Sequence, residues 1–318
     1  MLTYFLFVLG FVVLIKGADL LVKGASSIAR KLKVSDLVIG LTIVAFGTSA
    51  PELFVNVSAS VQGNAEIAIG NILGSNIANI LLILGVSAII FPLTVQNTTV
   101  YKEIPFSLLA ALILGILAND QLIDKEENSV LTRSDGLALL GFFIIFLYYV
   151  FGMAQKSETK AADDTQHLSN AKAVAYIVIG LIGLVLGGTW IINGAVDIAG
   201  KFGVSEYLIG LTVVAVGTSL PELATSAVAA YRKNTDIAIG NVVGSSIFNI
   251  FWILGVSAVI KPLPFQTSGN ADIAMTIFSS ILLFAFLFIG KNKVLKRWQG
   301  VLFLIFYVGY LVFVIFRK

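Results

Sequence analysis

Residues 39–90, IGLTIVAFGTSAPELFVNVSASVQGNAEIAIGNILGSNIANILLILGVSAII, return at 209–260 as IGLTVVAVGTSLPELATSAVAAYRKNTDIAIGNVVGSSIFNIFWILGVSAVI. The offset is 170 throughout, without a gap, and 31 of the 52 paired positions are identical. Chance likeness between apolar helices would share leucines. Here the polar residues are shared: Gly47, Thr48, Ser49, Pro51 and Glu52 recur as Gly217, Thr218, Ser219, Pro221 and Glu222. Asn71, Ser75 and Asn79 recur as Asn241, Ser245 and Asn249. The chain is therefore two copies of one unit, and the fold must accommodate both.

The unit is made for lipid. The chain is 58% hydrophobic and 12% charged, against roughly 25% charged in a soluble domain. Apolar segments of spanning length recur near 2–22, 36–61, 66–91, 102–118, 135–153, 173–198, 206–231, 236–261, 271–290 and 298–316. In lipid the backbone must satisfy itself, so these segments are expected as helices. The expected fold is an all-α integral membrane protein of ten transmembrane helices in one transmembrane domain. Residues 1–153 form a first five-helix repeat, 154–172 a linker and 173–318 a second repeat. Copying an odd number of spans inverts the second copy, which is the inverted-repeat plan of secondary transporters. The first span lacks a basic flank before it and a small-residue cleavage site after it, so it reads as a helix rather than a signal.

Fourteen basic residues fall on one side of these spans: Lys23, Arg30, Lys31, Lys33, Lys102, Lys156, Lys160, Lys172, Arg232, Lys233, Lys291, Lys293, Lys296 and Arg297. Six fall on the other: Lys125, Arg133, Lys201, Lys261, Arg317 and Lys318. The richer side is expected in the cytoplasm. Both termini are then outside a cell membrane, and the polar 154–172 linker is a cytoplasmic tether. There is no cysteine, and the single histidine, His167, sits in that linker. Thiol chemistry and histidine-based relays within the spans are thereby excluded.

A proline followed by a glutamate in mid-span needs a reason. An interior proline costs a helix about 3 kcal/mol, and a charge at the bilayer centre costs about 2.5–3.5 kcal/mol on insertion scales. Pro51 cannot donate to the Gly47 carbonyl, so carbonyls near Ala45–Gly47 are expected to be freed. Such a break is tolerated where it lines a cavity or is buried in protein. Ala45, Thr48, Ser49 and Glu52 share one helix face, and Ala215, Thr218, Ser219 and Glu222 repeat it. Ser75 with Asn79, and Ser245 with Asn249, each present a hydroxyl and an amide on one face. All these donors are oxygens, and two carboxylates neutralise one Ca²⁺, which takes six to eight oxygen ligands. Other polar residues have plainer readings. Thr42 and Thr212 are expected to bond back to their own helices. Asn71 and Asn241 read equally as interhelical glue. The glycines of GNILGS and GNVVGS permit close packing, and Lys16 pairs locally with Asp19.

The paired segments GTSAPE…GNILGSNIANI and GTSLPE…GNVVGSSIFNI resemble the two alpha repeats of the cation/Ca²⁺ exchanger superfamily, and of its prokaryotic Na⁺/Ca²⁺ exchangers in particular. The resemblance spans nearly the whole chain. It implies a central diamond of four sites between the second, third, seventh and eighth helices. Glu52, Glu222, Thr48 and Thr218 would hold Ca²⁺ or, alternately, Na⁺. The Ala45 carbonyl with Ser49 and Ser245 would form one flanking Na⁺ site, and the Ala215 carbonyl with Ser219 and Ser75 the other. Asn79 and Asn249 would border the middle position, while the first and sixth helices slide past the core. Some relatives, K⁺-dependent ones included, carry aspartate where Asn249 stands, so the asparagine argues against K⁺ co-transport.

The function expected is Na⁺-driven Ca²⁺ antiport by alternating access, electrogenic at three Na⁺ per Ca²⁺. A cation/H⁺ exchanger of the same fold is the alternative, since the same carboxylates could carry protons. An intramembrane hydrolase fits poorly, because the duplicated site gives its two acids like surroundings. A passive channel would show single-channel currents. No enzyme activity, cofactor, nucleic acid or protein partner is implied; the partners are Na⁺, Ca²⁺ and lipid.

Overall fold

The computed structural model describes residues 2–156, 168–202, 215–289 and 293–317. Its helices are α1 Leu2–Leu32, α2 Asp36–Thr48, α3 Ala50–Gln62, α4 Ala65–Ile90, α5 Thr99–Leu117, α6 Arg133–Lys156, α7 Asn170–Lys201, α8 Ala215–Thr218, α9 Leu220–Tyr231, α10 Thr235–Ile260, α11 Thr267–Phe288 and α12 Arg297–Phe316. Among the described residues, eight helices are long and apolar enough to cross a membrane. The pair α2 and α3, bent by 47°, makes a ninth if counted as one span. The expected span 206–231 falls partly on residues 203–214, outside the described residues, as do His167, Thr212 and linker residues 157–167.

The first helix runs ten residues beyond its expected end. Its last part buries Ala25, Ser27 and Ala29 against protein rather than lipid, so hydropathy there does not report the helix. It ends where Lys33 takes a left-handed φ of 55°. Ser35 then caps α2 by accepting from the Val38 N–H at 3.3 Å. Between α3 and α4 the chain turns through Gly63 at φ 84°. The equivalent turn uses Lys233 at φ 61°.

Of the eight long spans, α4 and α10 are the most enclosed, and the other six face outward over most of their length. Both central helices carry a π-helical stretch at the same place in the repeat, Ala78–Ile83 and Phe248–Leu254. Such turns recur at functional sites because they re-aim side chains and loosen the backbone ladder. Around the second stretch, Phe143 of α6 meets Phe248 edge-on at 4.9 Å and Phe142 stacks on Phe251 at 5.4 Å. This aromatic layer wedges the π turn in place.

Helices α1 and α7 run antiparallel in close contact. Gly10 faces Gly187, Gly17 faces Gly180 and Gly24 faces Ala173. A Cβ on Gly17 would lie 2.8 Å from the Gly180 carbonyl oxygen, and one on Gly180 would lie 2.7 Å from the Leu21 nitrogen. Small residues let two backbones meet where lipid supplies no hydrophobic push between helices.

The all-α expectation needs one addition. Four short strands, β1 Leu93–Thr94, β2 Ser129–Leu131, β3 Leu263–Phe265 and β4 Val294–Leu295, form two antiparallel pairs. β1 pairs with β4, Leu93 opposite Leu295, and β2 with β3, Ser129 opposite Phe265. Each pair joins one repeat to the other. The same crossing recurs in side chains: Gln96 donates to Asp236 at 2.6 Å, and Gln266, its equivalent, donates to Glu66.

The expected Lys16–Asp19 pair is not formed. Asp19 pairs instead with Lys23 at 2.8 Å and with Arg232 at the end of α9. A partner one turn further along the helix and a cation from a neighbouring helix both lie nearer than Lys16, which is exposed.

Candidate functional site

The break falls at Ser49. Its backbone (φ −81°, ψ 8°) leaves the helical range, and α2 meets α3 at 47°. Ser219 repeats the geometry (φ −86°, ψ 6°). Pro51 and Pro221 lie in the first turn of the helix that follows. There a missing N–H removes no helical bond. The proline thus starts a helix rather than damaging one. The glutamate after it sits in that first turn, where the positive end of the helix favours a carboxylate.

Glu52 and Glu222 are both fully enclosed and close enough to feel each other's charge. Each is met by a serine from the opposite repeat. Ser49 donates to Glu222 Oε1 at 2.9 Å, and its oxygen lies 3.0 Å from Ser245 Oγ. Ser219 donates to Glu52 Oε1 at 3.4 Å and lies 3.3 Å from Ser75 Oγ. Ser75 also reaches Glu52 Oε1 at 3.4 Å. Each carboxylate therefore has one oxygen engaged, while Oε2 of both is buried without a hydrogen-bond partner.

Thr48 donates to Asn241 Oδ1 at 3.0 Å, and Thr218 to Asn71 Oδ1 at 3.4 Å. The threonines also reach the carboxylates of Glu222 and Glu52 respectively. Asn79 and Asn249 lie within the two π stretches. Neither amide atom of Asn79 has a partner. Asn249 donates to Asn76 Oδ1 at 3.0 Å, and its own Oδ1 is unpartnered. Asn76 in turn donates to the Ser246 carbonyl at 3.2 Å.

Two expectations about the backbone change. The Ala45 carbonyl is not freed: it accepts the Ser49 N–H at 3.0 Å and the Thr48 hydroxyl at 3.3 Å. The break lies one turn later than the carbonyl it was expected to release. In the second repeat the Ser219 N–H reaches the Val216 carbonyl at 3.2 Å. The glycines divide as well. A Cβ on Gly244 would lie 2.8 Å from that of Ala45, and one on Gly240 would lie 2.9 Å from the Leu37 carbonyl. A Cβ on Gly70 or Gly74 would meet no atom of another described element within 4 Å; the segment equivalent to Leu37–Val44 lies outside the described residues. Thr42 bonds back to the Val38 carbonyl at 2.6 Å.

Residues that were not singled out also belong here. Asn56 and Ser226, each four after its glutamate, hold Asn71 and Asn241. Their spacing puts them on the glutamate face, and that spacing was the available signal. Among the described residues no three acidic, histidine or cysteine side chains gather as a metal cluster. The arrangement offers two carboxylates with neutral oxygens around them. Enclosed charges of this kind carry a penalty of several kcal/mol each unless compensated, and a cation among the open oxygens would compensate them.

Asn249→Asp adds a third acid to this group and sets an oxygen against Asn76 Oδ1. We expect the pH profile or the cation preference of Ca²⁺ exchange to shift severalfold, read as ⁴⁵Ca²⁺ uptake across a pH series with competing cations. An unchanged profile and preference would remove Asn249 from the ion path.

The profile of the family described as "Sodium/calcium exchanger protein" matches residues 2–152 and 172–316. The chain is 39% identical to the putative antiporter CaxA of Alkalimonas amylolytica over 98% of each chain. It is 33% identical to the sodium/calcium exchanger MaX1 of Methanosarcina acetivorans over 97% of each. Among solved structures, the sodium-calcium exchanger NCX_Mj soaked with Na⁺ and Ca²⁺ superimposes with a TM-score of 0.83 at 35% identity, covering 100% of this chain and 99% of that one.

Proposed function

The chain belongs to the sodium/calcium exchanger family, whose members are membrane transporters, and from that premise we propose that it exchanges Na⁺ for Ca²⁺ by alternating access at the site between Glu52 and Glu222. One observation carries the reading. Four buried oxygens, Oε2 of Glu52 and of Glu222 and Oδ1 of Asn79 and of Asn249, have no hydrogen-bond donor. Unpaired buried acceptors are rare and expensive, and oxygens without protons are what a hard cation takes.

In this reading the chain forms ten helices in two inverted repeats, joined by a cytoplasmic linker, with both termini outside. Glu52, Glu222, Thr48 and Thr218 hold the Ca²⁺. The hydroxyl pairs Ser49–Ser245 and Ser75–Ser219, with the Ala45 and Ala215 carbonyls, hold two flanking Na⁺. A third Na⁺ takes the central place when Ca²⁺ leaves. Two carboxylates balance one Ca²⁺, so the Ca²⁺-loaded site is near neutral and the Na⁺-loaded site carries about one excess positive charge.

Exchange should then be electrogenic. One charge crossing the membrane is worth about 2.3 kcal/mol per 100 mV, so an inside-positive potential should favour Ca²⁺ uptake into Na⁺-loaded proteoliposomes. The test measures initial ⁴⁵Ca²⁺ uptake with Na⁺, H⁺ and K⁺ gradients varied singly, then with the potential clamped by K⁺ and valinomycin. Uptake driven by a pH gradient without Na⁺ would replace Na⁺ coupling by proton coupling. Uptake indifferent to voltage in rate and in final gradient would reduce the ratio to two Na⁺ per Ca²⁺.

A further inference from the structure

Thr48 and Thr218 pose a problem of direction. A hydroxyl holds one proton and two lone pairs, and it ligates a cation only with its lone pairs turned inward and its proton turned away. Both threonines reach a site carboxylate, so an oxygen the cation needs competes for each proton.

Each threonine has an outside acceptor, supplied by the opposite repeat. The first chain of hydrogen bonds is anchored at the Ala68 carbonyl, which can only accept. Asn56 must therefore present its Nδ2 there, at 2.9 Å. That turns Asn56 Oδ1 toward Asn71, whose Nδ2 donates to it at 2.7 Å. Asn71 is left presenting Oδ1 to Thr218, so the threonine must donate, at 3.4 Å. The second chain starts at two carbonyls. Ser226 donates to the Ala238 carbonyl at 3.4 Å. Asn241 Nδ2 donates to the Glu222 carbonyl at 3.3 Å and to Ser226 Oγ at 2.9 Å. Asn241 Oδ1 then accepts from Thr48 at 3.0 Å, nearer than the competing Ala45 carbonyl at 3.3 Å.

We infer that Asn71 and Asn241 are positioning residues that draw the Thr218 and Thr48 protons out of the central site, so that both hydroxyls face the ion as acceptors only. The inference rests on the reading of that site as a cation site. The polarity of each relay is set by acceptor-only carbonyls, so neither asparagine can reverse without breaking its own bonds. The two relays differ in one component, Asn56 against Ser226, and deliver the same Oδ1.

The test is a double-mutant cycle on Ca²⁺ dependence of exchange in proteoliposomes, with Thr48→Val, Asn241→Ala and the pair. Each single change should raise the Ca²⁺ concentration for half-maximal exchange about tenfold, the scale of one lost hydrogen bond to a charged group. The pair should be no worse than Thr48→Val alone, since Asn241 acts only through that hydroxyl. Losses that add, to about a hundredfold as for independent sites, would overturn the relay while leaving the cation site standing. So would a silent Asn241→Ala beside an impaired Thr48→Val. A Thr48→Val variant with unchanged Ca²⁺ dependence would overturn the cation-site reading and the relay with it. If Asn241→Ala is not recovered folded, the cycle of Asn71→Ala with Thr218→Val decides on the same terms.

Discussion

Glu52→Ala and Glu222→Ala should each abolish Ca²⁺ exchange. With one carboxylate gone, a divalent ion would sit enclosed with a whole charge unbalanced. Breaking a buried charge pairing by removing one partner costs about 3–5 kcal/mol, which is two to three and a half powers of ten in occupancy. Uptake should therefore fall to background. Packing alone would not produce this, and Gln at either position separates the two causes. It keeps the volume and an oxygen for Ser49 or Ser219, lacks the charge, and should be as inactive as alanine. The measurement is ⁴⁵Ca²⁺ uptake by proteoliposomes, with thermal unfolding in detergent as the control for folding. Near-normal uptake by a folded glutamine variant would show that the carboxylates do not balance the ion.

Replacing Gly17 or Gly180 with leucine should be nearly as damaging by a different route. The first atom of any side chain at these positions already meets backbone, at 2.8 Å and 2.7 Å. Backbone cannot rotate aside as a flexible side chain can. Overpacking of this kind costs about 1–3 kcal/mol even for a methylene or two, and leucine adds more. The two helices must separate along their length. We expect a loss of thermal stability and of most exchange. Gly309→Leu is the control: it lies exposed on α12 with no atom within 4 Å of its Cβ position and should behave as wild type. If Gly17→Leu matches it in both stability and exchange, α1 and α7 are not held by this contact.

What could be read in the residues followed from how strongly each signal repeats. The proline-glutamate step occurs twice, at an interval that no packing constraint imposes, and it marked the breaks at Ser49 and Ser219 to within two residues. The seams between spans were legible because hydropathy falls where lipid ends. It failed at α1, where protein rather than lipid covers the last turns. The π stretches holding Asn79 and Asn249 were not legible. One extra residue per turn leaves an apolar run looking the same. β1 and β4 are two residues each, too short for any alternation, and their pairing depends on a partner in the other repeat. Asp19 was misassigned for a similar reason: local spacing suggested Lys16, while Arg232 comes from a distant part of the chain. Asn56 was visible four residues after Glu52, yet nothing local reveals that its amide is the second link of a relay.

The crossed strand pairs have a consequence for how the protein comes into being. β1 emerges early in synthesis, and its partner β4 is among the last segments made. β2 must likewise wait for β3. The carboxylates also await serines from the other copy. The first repeat therefore leaves the ribosome as a set of inserted helices with open strand edges and a glutamate that lacks its serine from the second copy. Contacts so distant along the chain form late and slowly, and chains usually fold their first-made parts first. Here completion of the first copy is deferred until the second exists.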